Sequence, residues 1–167
     1  MYKINDIVVY ENGGICEVAD IGIPEFMNTE EEYYKLKAVG PKDNTIYVKV
    51  KNERTMRYTI SRDEAENYIH QVEDIDAIYN ENSKAREKEF CDIIKERDWI
   101  SCLKMYKGLM MAKSKRLSQG KQLNANDDRY FNRIDKIICD EFAVAMKLTA
   151  TQVRELLCNA CTAEYSI

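Results

Sequence analysis

Histidine is nearly missing from this chain: His70 is the single one among 167 residues. That removes schemes built on paired imidazoles, whether proton relays or His-rich metal sites. The glycine-rich GxGxxG and GxxxxGK[ST] phosphate loops are absent, and no nucleophile sits in a recognisable elbow. Glu30-Glu31-Glu32 reads as a solvated loop and not as an acid/base pair. An enzyme is therefore not expected, and no catalytic, cofactor-binding or metal-ligating residue is assigned. No apolar run approaches the roughly 20 residues needed to cross a bilayer. Met1-Tyr2-Lys3-Ile4-Asn5-Asp6 also lacks the apolar core of a secretory signal, so a cytoplasmic protein without membrane contact is expected. There is no internal repeat and no low-complexity segment.

The six cysteines, at 16, 91, 102, 139, 158 and 161, sit mostly within apolar patterns, as small hydrophobes do in a reducing compartment. Cys158-Asn159-Ala160-Cys161 is the only CxxC. No second CxxC or histidine pair completes a zinc site, and two cysteines one turn apart near a helix end is the competing reading.

Carboxylates are missing altogether between Trp99 and Asn126, where Lys104, Lys107, Lys113, Lys115, Arg116 and Lys121 fall. The net charge of −4 hides this asymmetry. Residues 1–81 carry 9 Lys+Arg against 17 Asp+Glu, residues 82–135 carry 13 against 8, and the remainder 3 against 4. Such a division suggests two parts with different partners, the second anionic. The length accommodates one domain or two small ones.

The residues that are present begin with a β-branched run. Lys3 to Tyr10, the turn-forming Asn12-Gly13-Gly14 and Ile15-Cys16-Glu17-Val18 predict a hairpin. Strands are expected over 2–10, 14–21, 33–39, 45–50 and 56–60, several alternating apolar with polar. Five short strands need closure or strong bending to protect their edges. The character changes at Ser61-Arg62-Asp63-Glu64, a capping box that opens a helix. Phe90, Ile93 and Ile94 share a helix face. Asp98 can cap a helix carrying Ile100, Leu103, Tyr106, Leu109 and Met110. Asn124 or Asn126 can cap one carrying Tyr130, Ile134, Ile137, Ile138, Phe142 and Met146. Thr149 with Gln152 opens a last helix with Val153, Leu156 and Leu157.

The hairpin and the order of the later segments resemble the CarD/CdnL family of bacterial transcription regulators. Asp6, Val8, Val9, Tyr10, Gly14, Ile15 and Val18 match or nearly match the family's opening pattern, roughly "GD.VVYP.HGVG.V". Asn5 replaces its glycine, Glu11 its proline, Gly13 its histidine and Cys16 its later glycine. The similarity continues through Tyr33-Tyr34, Thr45 to Val50 and Arg57. It resumes at Asp98 to Leu109 and at Leu123 to Phe131, covering most of residues 2–146. It implies an α+β protein: a five-stranded Tudor-like bent sheet or barrel over 1–60, then an all-helical domain over 61–167.

The resemblance further implies a regulator that docks on the RNA polymerase β subunit and contacts promoter DNA without reading its sequence, modulating open-complex formation or stability. Docking would use Thr45, Tyr47 and Lys49 on the exposed side of the sheet, with Tyr47 where the family has a basic residue. Family members carry a tryptophan wedge at the start of a helix, a large apolar side chain that replaces lost base stacking. The alignment puts that position at Ser83, which cannot unstack bases, and leaves Trp99 as a core residue. Arg86 and Lys88 match basic positions of the family helix. Lys84, Lys113, Lys115, Arg116, Lys121 and Arg129 extend the candidate DNA-binding patch, against which stands a merely solvated helix face. The competing function is a polymerase-binding module without a DNA role, which occupies the β site and blocks a true CarD-like activator. Neither reading calls for a small-molecule substrate or a cofactor.

Overall fold

The computed structural model describes residues 1–11 and 14–162. Asn12-Gly13, the expected hairpin turn, lies outside the described residues. Met1–Thr59 and Ile60–Ile167 form two compact units.

The first unit is an antiparallel sheet of β1 (Ile7–Tyr10), β2 (Gly14–Gly22), β3 (Tyr33–Ala38), β4 (Thr45–Lys49) and β5 (Met56–Tyr58), in the order β4-β3-β2-β1-β5. β1 begins later than the pattern suggested. Asn5 takes a positive φ of 74°, and the Asp6 carboxylate accepts from the Lys3 amide at 2.7 Å. Residues 3–6 therefore turn before the strand starts. β4 stops at Lys49 because Val50 opens a 3-10 stretch to Thr55, and β5 ends at Tyr58. A register shift between Val18 and Asp20 places an extra residue in β2 and keeps both Val18 and Ile21 on the inner face. That face buries Val8, Cys16, Val18, Tyr34, Leu36, Val48 and Met56.

The second unit contains α1 (Arg62–Gln71), α2 (Ser83–Glu96), α3 (Trp99–Ser118), α4 (Ala125–Met146) and α5 (Ala150–Thr162). Each start has a local cause. Ser61 and Glu64 make both halves of a capping box, as do Thr149 and Gln152. Asn82, Asp98 and Asn124 cap α2, α3 and α4 through side-chain oxygens. Phe90, Leu103, Tyr106, Leu109, Ile134, Ile138, Phe142 and Leu157 are fully buried at their centre. Each apolar side chain of this size contributes about 1.5–3 kcal/mol on burial. Trp99 is buried too, edge-on to Phe142 at 5.1 Å, so it is a core residue. Leu156 departs from its expected face and stays exposed.

Residues 72–82, between α1 and α2, form a strap that α3 holds down. The Ile78 amide donates to the Lys104 carbonyl at 3.0 Å. The Lys107 ammonium, buried, donates to the carbonyls of Val72, Glu73 and Ile75, each at 3.0 Å. Beside the Ile78 anchor lies Gly108, where a Cβ would stand 2.0 Å from the Ile78 carbonyl oxygen. In an open helix Gly→Ala gains about 1 kcal/mol. At this position the strap must shift, and Gly108→Ala is expected to destabilise the protein by about 1–3 kcal/mol in chemical denaturation. A stabilised variant would show that the contact is not so close.

Candidate functional site

In the first unit, β4 is an edge strand. The Ala38 amide bonds the Asn44 carbonyl, and the Val50 amide the Glu32 carbonyl. With the register Lys37↔Thr45, Lys35↔Tyr47 and Tyr33↔Lys49, these bonds make the even-numbered residues of β4 the ones bonded to β3. The amides and carbonyls of Thr45, Tyr47 and Lys49 therefore point outward along the open edge. Their side chains lie on the face opposite the core, because Ile46, Val48 and Val50 pack inward.

Tyr47 is half-buried because Phe26, from the β2–β3 loop, stands edge-on to its ring at 5.1 Å. Phe26 itself is 68% exposed, and Ile23 in the same loop 52%. An apolar residue at that exposure in a turn-rich segment is the signal that sequence reasoning passed over. The Lys49 ammonium lies over the Tyr33 ring at 5.9 Å and shares the Glu31 carboxylate with Lys51. Hydrogen bonds from Lys49 and Lys51 hold the Glu31 carboxyl below the usual carboxylate range, and the same bond raises Lys49. This edge thus combines outward-facing backbone groups, an exposed phenylalanine on a half-buried tyrosine and a cation already neutralised by its own chain.

In the helical unit the candidate DNA-facing residues separate into three groups. Arg86 leaves the set: it is 7% exposed and committed to the fold. Its Nε and Nη2 each donate to Asp127 at 3.1 Å, and its Nη1 donates to the Asn80 carbonyl at 2.7 Å. Its guanidinium also covers the Tyr79 ring at 4.4 Å. The Tyr79 hydroxyl donates to the same carboxylate at 2.6 Å, and burial with that bond pushes it up to about 12. Lys107, from the carboxylate-free run, is likewise internal.

Ser83, Lys84 and Lys88 form a second group, exposed on the first two turns of α2. They alternate with Glu87, Glu89 and Asp92, so this surface has no excess of positive charge. Arg129 belongs with them, donating to Asn126 at 2.7 Å and lying 3.9 Å from Glu87.

The third group stands at the end of α3. Lys113 packs over the Phe131 ring at 4.7 Å. Gly120, with φ of 69°, reverses the chain: its amide bonds the Leu117 carbonyl while the Lys121 amide bonds that of Arg116. The turn returns Lys121 to the neighbourhood of Lys115 and Arg116. Among the described residues these three side chains form no ion pair. Nor does any group of three or more His, Cys, Asp or Glu among the described residues suit a metal ion, so Cys158 and Cys161 gain no partners for one.

The architecture is that of a small antiparallel sheet domain followed by a helical unit. Residues 2–60 match the family model of the CarD-like/TRCF RID domain. The N-terminal unit is thus similar to that family's domain, a match that points to a transcription-related protein. The match stops where the helices begin. No curated protein matches the chain. No helix among the described residues is long and apolar enough to cross a membrane.

The reassignment of Arg86 has a measurable consequence. Removing one partner of a buried pair leaves the other charge unpaired, so Arg86→Ala should cost about 3–5 kcal/mol in chemical denaturation. Lys88→Ala, on the exposed face, should stay within about 0.5 kcal/mol of the parent. Equal stability of the two variants would return Arg86 to the surface set.

Proposed function

We propose that this protein is a non-catalytic transcription regulator that docks on the β subunit of RNA polymerase through the β4 edge and steadies promoter DNA through non-specific phosphate contacts. The observation that carries the first half is the open edge of β4, inside a domain of polymerase-interacting family. Its outward amides and carbonyls can extend the sheet with a strand of the partner, main-chain bonds giving affinity and Phe26 and Tyr47 giving side-chain anchorage. The second half is supported by the carboxylate-free group Lys115, Arg116 and Lys121, since cations gain affinity from phosphates by counterion release without reading bases.

Two variants test the halves separately. Tyr47→Asp, half-buried at the open edge, should weaken capture of a β-subunit fragment by about tenfold or more while leaving the helical unit's stability unchanged. Undiminished capture would remove β4 as the docking edge. The triple change Lys115→Glu, Arg116→Glu, Lys121→Glu should preserve capture but abolish retention of promoter DNA by the polymerase complex. Lys113 is left alone because its charge also packs on Phe131.

The second reading is a β-binding module that gives no promoter support and displaces an activator. Ser83 favours it, being the first residue of α2, exposed, and without the apolar surface that a wedge needs. Open-complex lifetimes with the parent and with Ser83→Trp separate the two. On the first reading the parent already lengthens the lifetime. A lifetime lengthened only by Ser83→Trp would establish the second.

A further inference from the structure

The strap, the second half of α3 and the end of α5 line an open pocket of about 910 Å³, at the upper end of the range for small-molecule sites. Its lining is mainly apolar. Met110 and Met111 supply thioethers, Tyr79 a ring edge, and Lys115, Arg116 and Lys121 bring three cations to one side. Every wall has a structural cause. Gly108 lets the strap approach α3, Asp127 fixes Tyr79, and the Gly120 turn returns Lys121 to Arg116.

We infer that this pocket binds a free purine nucleotide, as a ligand and not as a substrate. Charge complementarity selects a phosphorylated ligand, because three cations that form no ion pair among the described residues exceed what one carboxylate would neutralise. Arg116 offers the planar fork that grips phosphate oxygens in pairs, and Lys115 and Lys121 add point charges beside it. Glu81, also in the lining, disfavours a second anionic group elsewhere in the pocket. The thioethers and the tyrosine ring of the lining suit a flat polarizable body. Methionine sulfur makes favourable contacts with aromatic rings, and two adjacent methionines adapt to either purine. The lining therefore offers cations for phosphates and thioethers for a base. It uses the same cations as the proposed promoter contact, so nucleotide and DNA phosphates would compete for them.

Calorimetric titration of the full chain with ADP should give a Kd below about 1 mM, with adenosine and inorganic pyrophosphate each binding at least about tenfold more weakly. Ala112→Trp, which fills the pocket from its lining and leaves every cation in place, should abolish ADP binding without changing retention of promoter DNA by the polymerase complex. Lys115→Gln with Arg116→Gln, both outside the core, should weaken ADP by about tenfold or more even if Ala112→Trp fails to fold. Absence of ADP binding overturns the inference. So does equal binding of pyrophosphate, which would mean a phosphate patch alone, or binding of oligothymidylate but not ADP, which would mean a single-strand contact. A parent protein that binds ADP but gives the polymerase complex no retention of promoter DNA would defeat the DNA reading and leave the nucleotide site standing.

Discussion

The Asp127 carboxylate is the junction on which the geometry of the helical unit depends. It is 2% exposed and accepts from Tyr79, from two nitrogens of Arg86 and from the Asn124 side chain at 2.9 Å. Taking the carboxylate and guanidinium out of water costs several kcal/mol per ion, and their attraction offsets this only when the remaining donors and acceptors are satisfied. Both oxygens of Asp127 are satisfied, and Arg86 places a further donor on the Asn80 carbonyl. Such a pair is poor evidence of extra stability over a well-packed apolar cluster. What it supplies is a single arrangement: a partly broken network would leave an unpaired charge inside, so alternative packings are disfavoured. The strap end, the start of α2 and the first turn of α4 are thereby locked together, and Ser83 and Lys84 emerge where that lock puts them.

The same economy explains how the positive surface is distributed. Lys107 and Arg86 account for two of the cations between 82 and 135, and both are turned inward to hold the strap. The cations of α2 are diluted by carboxylates on the same helix. The remaining excess gathers at the C-terminal end of α3, where the helix macrodipole stabilises Lys115 and Arg116 by about 0.3–1 kcal/mol each in addition to any ligand they hold. Position at a helix end is thus sufficient reason for two of these residues to be basic. The lack of neighbouring acids, and the turn at Gly120 that adds Lys121, are what the macrodipole does not account for.

Features governed by near neighbours in the chain were readable from the residue order. The capping boxes at Ser61 and Thr149 and the Asp98 cap involve residues three apart, and the apolar spacing of α3 and α4 places their core faces. The exceptions all depend on distant partners. Arg86 and Lys88 look alike in a helical pattern, yet a carboxylate 41 residues further along draws one inside and leaves the other in water. The edge-on contact of Phe26 with Tyr47 joins a loop to a strand across 21 positions, with no periodicity to announce it. Asn5 is a third kind of case. Its positive φ shortens β1, and the β-branched run after it masks the turn. Asn124 and Asn126 are equally good caps by type, and the structure uses Asn124, which accepts from the Asp127 amide and donates to the Asp127 carboxylate held by Arg86.

Charge arithmetic also says why a docking edge and a weak basic group belong in one chain. Three phosphate contacts give a logarithmic salt slope near about −2.7, so raising salt from about 50 to 200 mM would weaken binding roughly 40-fold. A free protein with a net charge of −4 would hold DNA poorly under those conditions. Attachment to polymerase changes the comparison, because a tethered site works against an effective concentration on the order of millimolar and not against the bulk. Contacts too weak to recruit the protein are then strong enough to bias a complex that is already assembled. On the proposed function, specificity is left to the main-chain edge of β4, and the cations at the end of α3 can remain few. The same weakness makes them easy to compete away, so a nucleotide held by only three charges could regulate a contact that a tighter DNA-binding surface would not release.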